Sequence, residues 1–187
     1  MGTPWASALT TVADHLTSNH LKWLLLGSAA TTLHGVPLTP ADLDIAVRTP
    51  ADVHRAAAVM PTPGTITEFS HDGESWTLGR WSIAGVKVEL AFIDAPAVAD
   101  LLLEARSLAV WPERVTLHCD GRPIPTVPIE VQLATMVARE QAERIEATLG
   151  AIGALNLPLL RRALADRQAD VPSMTVPESL QVLLARV

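Results

Sequence analysis

The chain has 187 residues, and its 49% hydrophobic against 18% charged residues exclude a disordered protein and predict a folded globule. A net charge of −6, with lysine only at positions 22 and 87, argues against broad binding of duplex nucleic acid. A lone cysteine excludes an internal disulfide, and the apolar run at 23–26 is too short to span a bilayer, so we expect a cytoplasmic protein without a signal peptide.

Helices and strands are predicted to alternate in the first half of the chain. Apolar residues at helical spacing predict a helix over 4–18, and short apolar runs predict buried strands. We predict further helices over 29–34 and 51–60, and strands over 22–26, 43–47, 76–83 and 86–93. Thr49-Pro50 provides a cap and first turn for the third helix, Gly35 ends the second, and Ala84-Gly85 is a hairpin turn.

The second half is predicted to be mainly helical. Residues 95–108 have a helical pattern, whereas prolines break residues 110–128 into short strands or loop. We predict three more helices, over 129–152, 157–169 and 177–186. The fold class is therefore α/β or α+β, with an α/β core over 1–128 and a helical region over 129–187. The boundary near 125–129 separates either two domains or two layers of one domain.

Three short motifs carry the predicted chemistry. Asp42 and Asp44 lie two residues apart in a strand, so both carboxylates face one side while their apolar neighbours face the core. Glu89 likewise lies in an apolar strand, with its side chain on the face opposite to that of its apolar neighbours. Gly27 and Ser28 follow a buried strand and precede a helix, where glycine allows the backbone to approach a phosphate closely.

Carboxylates packed together repel each other, and divalent cations remove that penalty. Mg²⁺ prefers hard oxygen ligands and shares its coordination shell with substrate phosphates. The motifs therefore predict a site for two Mg²⁺ ions and a nucleoside triphosphate, ATP among the candidates, with Asp42, Asp44 and Glu89 as ligands. Each acid has a simpler interpretation, as a solvated strand residue or, for Glu89, as the partner of Lys87 or a cross-strand arginine.

The arrangement resembles the nucleotidyltransferase superfamily of the DNA polymerase β type. Its pattern is a hydrophobic residue, Gly, then Gly or Ser, an Asp-hydrophobic-Asp strand, and a later acid between hydrophobic residues. The segment 23–47 is similar to small prokaryotic nucleotidyltransferases, among them toxins of toxin–antitoxin pairs. The resemblance covers 21–93 well, extends more loosely to 147, and implies a mixed sheet flanked by helices.

The resemblance implies roles for individual residues. Asp42 and Asp44 would bind both metal ions, Glu89 would ligate the catalytic ion and help to activate the acceptor, and Gly27 and Ser28 would hold the β and γ phosphates. This chain has Glu89 where Asp is common. Related toxins also carry a functional lysine in the helical half, and here Arg139 or Arg144 is the candidate for that role. The simplest interpretation of the arginines in the helical half is a solvated helix face, and the alternative is a role in holding RNA or a partner; these are Arg139, Arg144, Arg161, Arg162 and Arg167.

The leading hypothesis is transfer of a nucleoside monophosphate to a hydroxyl on tRNA or a protein, as a toxin with an antitoxin partner. A related alternative is a small-molecule acceptor such as an antibiotic. A second class of hypothesis is a catalytically weak module that binds nucleotides or proteins, and a third is a structural domain with coincidental acids.

Overall fold

The computed structural model describes residues 3–185, which form one seven-stranded mixed sheet with helices around it. The strands are β1 (Trp23–Leu26), β2 (Asp42–Val47), β3 (Thr65–His71), β4 (Glu74–Ile83), β5 (Val86–Asp94), β6 (Val115–Cys119) and β7 (Arg122–Thr126). The helices are α1 (Pro4–Ser18), α2 (Gly27–Leu33), α3 (Pro50–Val59), α4 (Val110–Glu113), α5 (Ile129–Ala138), α6 (Ala142–Ala151), α7 (Leu157–Asp170) and α8 (Glu178–Leu184). The predicted fold class is confirmed, and residue 186 of the last predicted helix lies outside the described residues.

The order of strands across the sheet is β3-β4-β5-β2-β1-β7-β6. β2 pairs in parallel with β5 and antiparallel with β1. Every residue of β1 is buried, as expected for a short apolar strand near the middle of a covered sheet. The end of β1 and one face of β2 and β5 therefore lie next to each other.

The predicted turns and caps of the first half are confirmed. The Thr49 hydroxyl accepts a hydrogen bond from the Asp52 amide at the start of α3. Gly35 follows α2 with a φ of 98°. Ala84 and Gly85, with φ of 51° and 77°, join β4 to β5 in the conformation that tight hairpins favour.

The helix predicted over 95–108 is wrong. The segment contains a single 3₁₀ turn, Pro96–Val98, and otherwise consists of turns. The Leu102 amide finds a tertiary partner instead of a helical one, since it donates to Asp166 of α7 at 2.8 Å, and the Leu103 amide donates to the hydroxyl of Ser107 within the same segment. Hydrogen bonds to a distant helix thus override a weak local preference.

The single helix predicted over 129–152 is also wrong, because it is divided into α5 and α6. Glu140 has a φ of 54° and its amide donates to the Val137 carbonyl, while the Gln141 amide donates to the Met136 carbonyl. This pair of bonds is a Schellman motif, which ends a helix although no glycine is present. The break leaves Arg139 at the C-terminal cap of α5.

One hydrophobic cluster joins the sheet to the C-terminal helices and includes Leu24, Leu133 and Leu160. The division into residues 1–128 and 129–187 stays a prediction. Among the described residues, no helix has the length and apolar character needed to cross a membrane.

Candidate active site

The fold brings the three predicted acids together on one face of the sheet. Asp44 lies directly opposite Glu89 across the parallel β2–β5 pair, and Asp42 lies opposite Lys87. One carboxylate oxygen from each of Asp42, Asp44 and Glu89 lies within 4.8 Å of the others. The close approach follows from the register, since a shift by one residue would turn Glu89 to the opposite face.

Two basic side chains partly balance this acidic group. Lys87 Nζ lies 2.9 Å from Asp42 Oδ2 and 3.4 Å from Glu89 Oε2. Arg80, opposite Glu89 on β4, donates from Nε to Glu89 Oε1 at 2.7 Å. The simpler interpretation of Glu89, as the ion-pair partner of Lys87 or a cross-strand arginine, is therefore also met by the structure. These ion pairs and the group of three acids occur together.

Asp44 has the most unfavourable environment of the three acids. Burial raises the pKa of its carboxyl, the neighbouring charges of Asp42 and Glu89 raise it further, and Lys87 and Arg139 oppose the shift. Burial and the two neighbouring acids therefore disfavour the ionised form of Asp44 more than the basic side chains favour it. A hard divalent cation fits this set, because all the donors are carboxylate oxygens and its charge would remove the repulsion.

Gly27 contacts Asp44 at the end of β1. Its φ is 67°, and a Cβ built there would lie inside the contact distance of Asp44 Oδ2 and 3.3 Å from Asp44 Cγ. Glycine is thus required both by the backbone conformation and by the space that Asp44 occupies. Ser28 is the second residue of α2, whose N-terminal cap is Leu26.

A cavity of about 570 Å³ opens beside the acids. Its floor is the sheet face, running from Gly27 at the end of β1 across β2 and β5 to β4, and its roof consists of α5, α7 and the segment after β5. The floor beyond Glu89 is apolar and contains Trp76, Leu78, Ala91 and Ile93. This volume lies within the range of small-molecule binding pockets.

The roof contains a buried carboxyl, Glu104, that the sequence analysis did not single out. The Glu104 side chain is 9% exposed, and its Oε2 has no hydrogen-bond partner among the described residues. Burial raises the pKa of this carboxyl, against the opposing effect of Arg139, Arg167 and the nearby Gln132 side chain. An orphaned buried carboxyl beside a cavity requires an explanation, and a bound ligand is one.

Arg167 lies next to Glu104 in the roof, so its assignment to a solvated face is wrong. Its side chain is 9% exposed, donates to Asp170 at 2.9 Å and to the Thr135 hydroxyl at 2.8 Å, and its Nε has no partner among the described residues. Arg106 joins the same group through Glu74, at 2.9 Å, and Asp170.

Arg139 and Arg144, the two candidates for the missing lysine, lie in different places. Arg139 lines the cavity, is 3.8 Å from Glu104 and is close enough to Asp44 to lower the pKa of that carboxyl. Arg144 lies exposed on α6. Of the two, only Arg139 therefore lies beside the cavity and the acids.

A signal for Arg167 was present in the sequence. Leu160, Ala163 and Leu164 form the buried stripe of α7, and Arg167 continues it at helical spacing, which predicts a buried position. Glu104 directly follows three leucines, but that pattern does not distinguish a buried acid from the end of an apolar run.

No protein-family model and no curated protein matches the sequence. Among solved structures, the chain is similar to a Thermotoga maritima protein described as a candidate nucleotidyltransferase, with 18% identity and a TM-score of 0.57 over 76% of this chain and 88% of the other. It is also similar to ANT(2″)-Ia in complex with adenylyl-2″-tobramycin, with 14% identity and a TM-score of 0.55 over 89% of this chain and 98% of the other. At these identities the likeness establishes a nucleotidyltransferase fold.

Proposed function

We propose that this protein is an Mg²⁺-dependent nucleotidyltransferase, which moves a nucleoside monophosphate from a nucleoside triphosphate to a hydroxyl group. The observation that carries the proposal is the convergence of Asp42, Asp44 and Glu89 on one sheet face, beside a cavity and next to Gly27. The fold is consistent with this activity but does not by itself specify it.

Each residue of the site has a role under this proposal. Asp42 and Asp44 would hold two Mg²⁺ ions, and Glu89 would ligate one of them and orient the acceptor hydroxyl. When bound, the ions neutralise charge on the reacting phosphate and on the leaving pyrophosphate. Gly27 and Ser28 bind the β and γ phosphates through their backbone, which the absence of a Cβ at Gly27 allows.

Arg139 is proposed to contact the triphosphate. Its guanidinium already lies within the electrostatic reach of Asp44, and its contact with Glu104 at 3.8 Å is too long for a hydrogen bond. A planar cation on a long, exposed side chain suits bidentate binding of phosphate.

The proposal includes acceptors of three kinds: tRNA, a protein and a small molecule. A role as a toxin, with an antitoxin as partner, and a cytoplasmic location stay predictions. The toxin role is tested by expressing the protein in cells beside an inactive variant and comparing growth.

The experiment combines binding with transfer. The wild type and an Asp42→Asn, Asp44→Asn double variant are incubated with each α-³²P-labelled nucleoside triphosphate and Mg²⁺, in the presence of tRNA, protein or small-molecule acceptors. We expect Mg²⁺-dependent triphosphate binding and label transfer by the wild type only. Asparagine keeps the shape of aspartate, and thermal melts of both proteins show that the variant is folded.

The possible results separate the hypotheses. Binding without transfer to any acceptor would favour a nucleotide-binding module over an enzyme. Absence of Mg²⁺-dependent binding in the wild type would refute the role of Asp42 and Asp44.

A further inference from the structure

The proposed reaction assigns the two ends of the cavity to different ligands. Nucleotide transfer forms a bond from the acceptor oxygen to the α-phosphorus and breaks the bond from this phosphorus to pyrophosphate, while the hydroxyl proton passes by way of Glu89 to solvent. The attacking and leaving oxygens lie roughly in line. If Gly27 holds the departing phosphates on the β1 side, the acceptor must approach from the opposite side, over β5 and β4.

The far end of the cavity is built to hold a ligand. Its floor is the apolar surface of Leu78, Ala91 and Trp76, and its roof contains Glu104 and Arg167, each with one buried polar atom that lacks a partner among the described residues. A carboxyl oxygen of Glu104 can accept a hydrogen bond, and Arg167 Nε can donate one. A ligand with hydroxyl or amide groups, which both donate and accept, suits these two side chains.

The charges of the roof disfavour an ionic acceptor. The carboxylates of Glu74 and Asp170 pair with the guanidinium groups of Arg106 and Arg167. Burial raises the pKa of the Glu104 carboxyl, which disfavours its charged form, and Arg139 is assigned to the triphosphate. No excess of acid is left to attract a polycation, and no excess of base is left for a polyanion. A neutral ligand avoids the cost of burying an unpaired charge.

We propose that the far end of the cavity binds a neutral small-molecule acceptor, which carries an apolar face against Trp76 and Leu78 and a hydroxyl or amide group bonded to Glu104 and Arg167. This acceptor site rests on the proposed nucleotidyltransferase activity. It selects one acceptor class from the three that the sequence left open.

The test uses acceptor fractions of known charge. A low-molecular-weight cell extract is divided by ion exchange into neutral, cationic and anionic fractions, and each is incubated with the protein, Mg²⁺ and α-³²P-labelled nucleoside triphosphates, beside total tRNA. We expect a labelled product from the neutral fraction. Label arising only from the cationic fraction, the anionic fraction or tRNA, or from none of them while triphosphate binding is intact, overturns the proposal.

Two variants locate the acceptor within the cavity. Glu104→Gln replaces one carboxyl oxygen with an amide nitrogen, which cannot accept a hydrogen bond, so the KM for the neutral acceptor should rise about tenfold while triphosphate affinity is unchanged. Ala91→Leu fills the floor beyond Glu89 and should also raise this KM without weakening triphosphate binding. Glu143→Gln, the same change at an exposed position of α6, is the matched control.

The variants also separate the two proposals. Loss of Mg²⁺-dependent triphosphate binding in the wild type would refute the activity, and the acceptor site with it. Normal binding with an unchanged acceptor KM in both Glu104→Gln and Ala91→Leu would refute the acceptor site alone. Thermal melts test the folding of Glu104→Gln. If Glu104→Gln is unfolded, the KM of Ala91→Leu alone decides the outcome.

Discussion

Gly27→Ala is the sharpest test of the contact between the end of β1 and the acids. Gly27 has a φ of 67°, where an L-residue is strained, and an added Cβ would overlap Asp44 Oδ2. The added methyl group therefore has two separate effects: it strains the backbone at residue 27, and it displaces Asp44, a proposed metal ligand. We expect the variant to lose both stability and Mg²⁺-dependent triphosphate binding.

The two effects differ in size and in what they change. The left-handed conformation costs a residue with a Cβ about 1–2 kcal/mol, which lowers the melting temperature of a chain of this size by about 2–8 °C. Displacing Asp44 by about 1 Å would reduce the transfer rate about 100-fold. The loss of activity should therefore far exceed what the loss of stability explains.

Gly85→Ala separates these effects. Gly85 has a φ of 77° in the β4–β5 turn, and an added Cβ would have no atom within 4 Å among the described residues. The Gly85→Ala variant therefore has the same kind of backbone strain without any disturbance of the acids. Thermal melts and calorimetric titration with Mg²⁺ and triphosphate compare the two variants, and equal, normal binding in both would refute the proposed contact of Gly27 with a metal ligand.

Three further predictions concern single side chains around the site. Lys87→Met removes a cation that competes for the acids and should tighten Mg²⁺ binding about fivefold, or about 1 kcal/mol, in a calorimetric titration, and an unchanged affinity would contradict this. Arg139→Ala should raise the KM for the triphosphate about tenfold, whereas Arg144→Ala should leave it unchanged. Equal effects of the two variants in steady-state kinetics would contradict the proposed contact of Arg139 with the triphosphate. Burial lowers the pKa of His34, whose Nε2 lies 2.9 Å from the Val127 carbonyl, so the unfolded chain binds protons more readily and stability should fall as the pH drops below 6.5. Thermal melts at several pH values should show a smaller fall for His34→Gln, and equal slopes would contradict the role of His34.

Local patterns were sufficient where the structure depends on neighbouring residues. The strand alternation at Asp42 and Asp44 predicted that both carboxylates share a face, and the structure agrees. The cap at Thr49 and the turn at Ala84-Gly85 were also readable, because each depends on the chemistry of a few consecutive residues.

Local patterns failed where distant segments compete for the same backbone groups. The segment 95–108 has helical composition, but its Leu102 amide donates to Asp166 of α7. The break after α5 was missed because its left-handed residue is Glu140, where glycine is usual. Arg167 was assigned to a solvated face, although its spacing on α7 continues a buried stripe.

By itself the sequence determined the chemical character of the site: acids on one strand face, a glycine at the end of a buried strand, and a third acid in an apolar strand. Only the tertiary structure decided that Glu89 lies opposite Asp44, and that Glu104 and Arg167 face the same cavity. The physical reason is the distance along the chain between the residues that interact. Side-chain direction along a strand follows from consecutive backbone angles, whereas the parallel pairing of β2 with β5 and the closure of α7 over the sheet depend on the packing of the whole core.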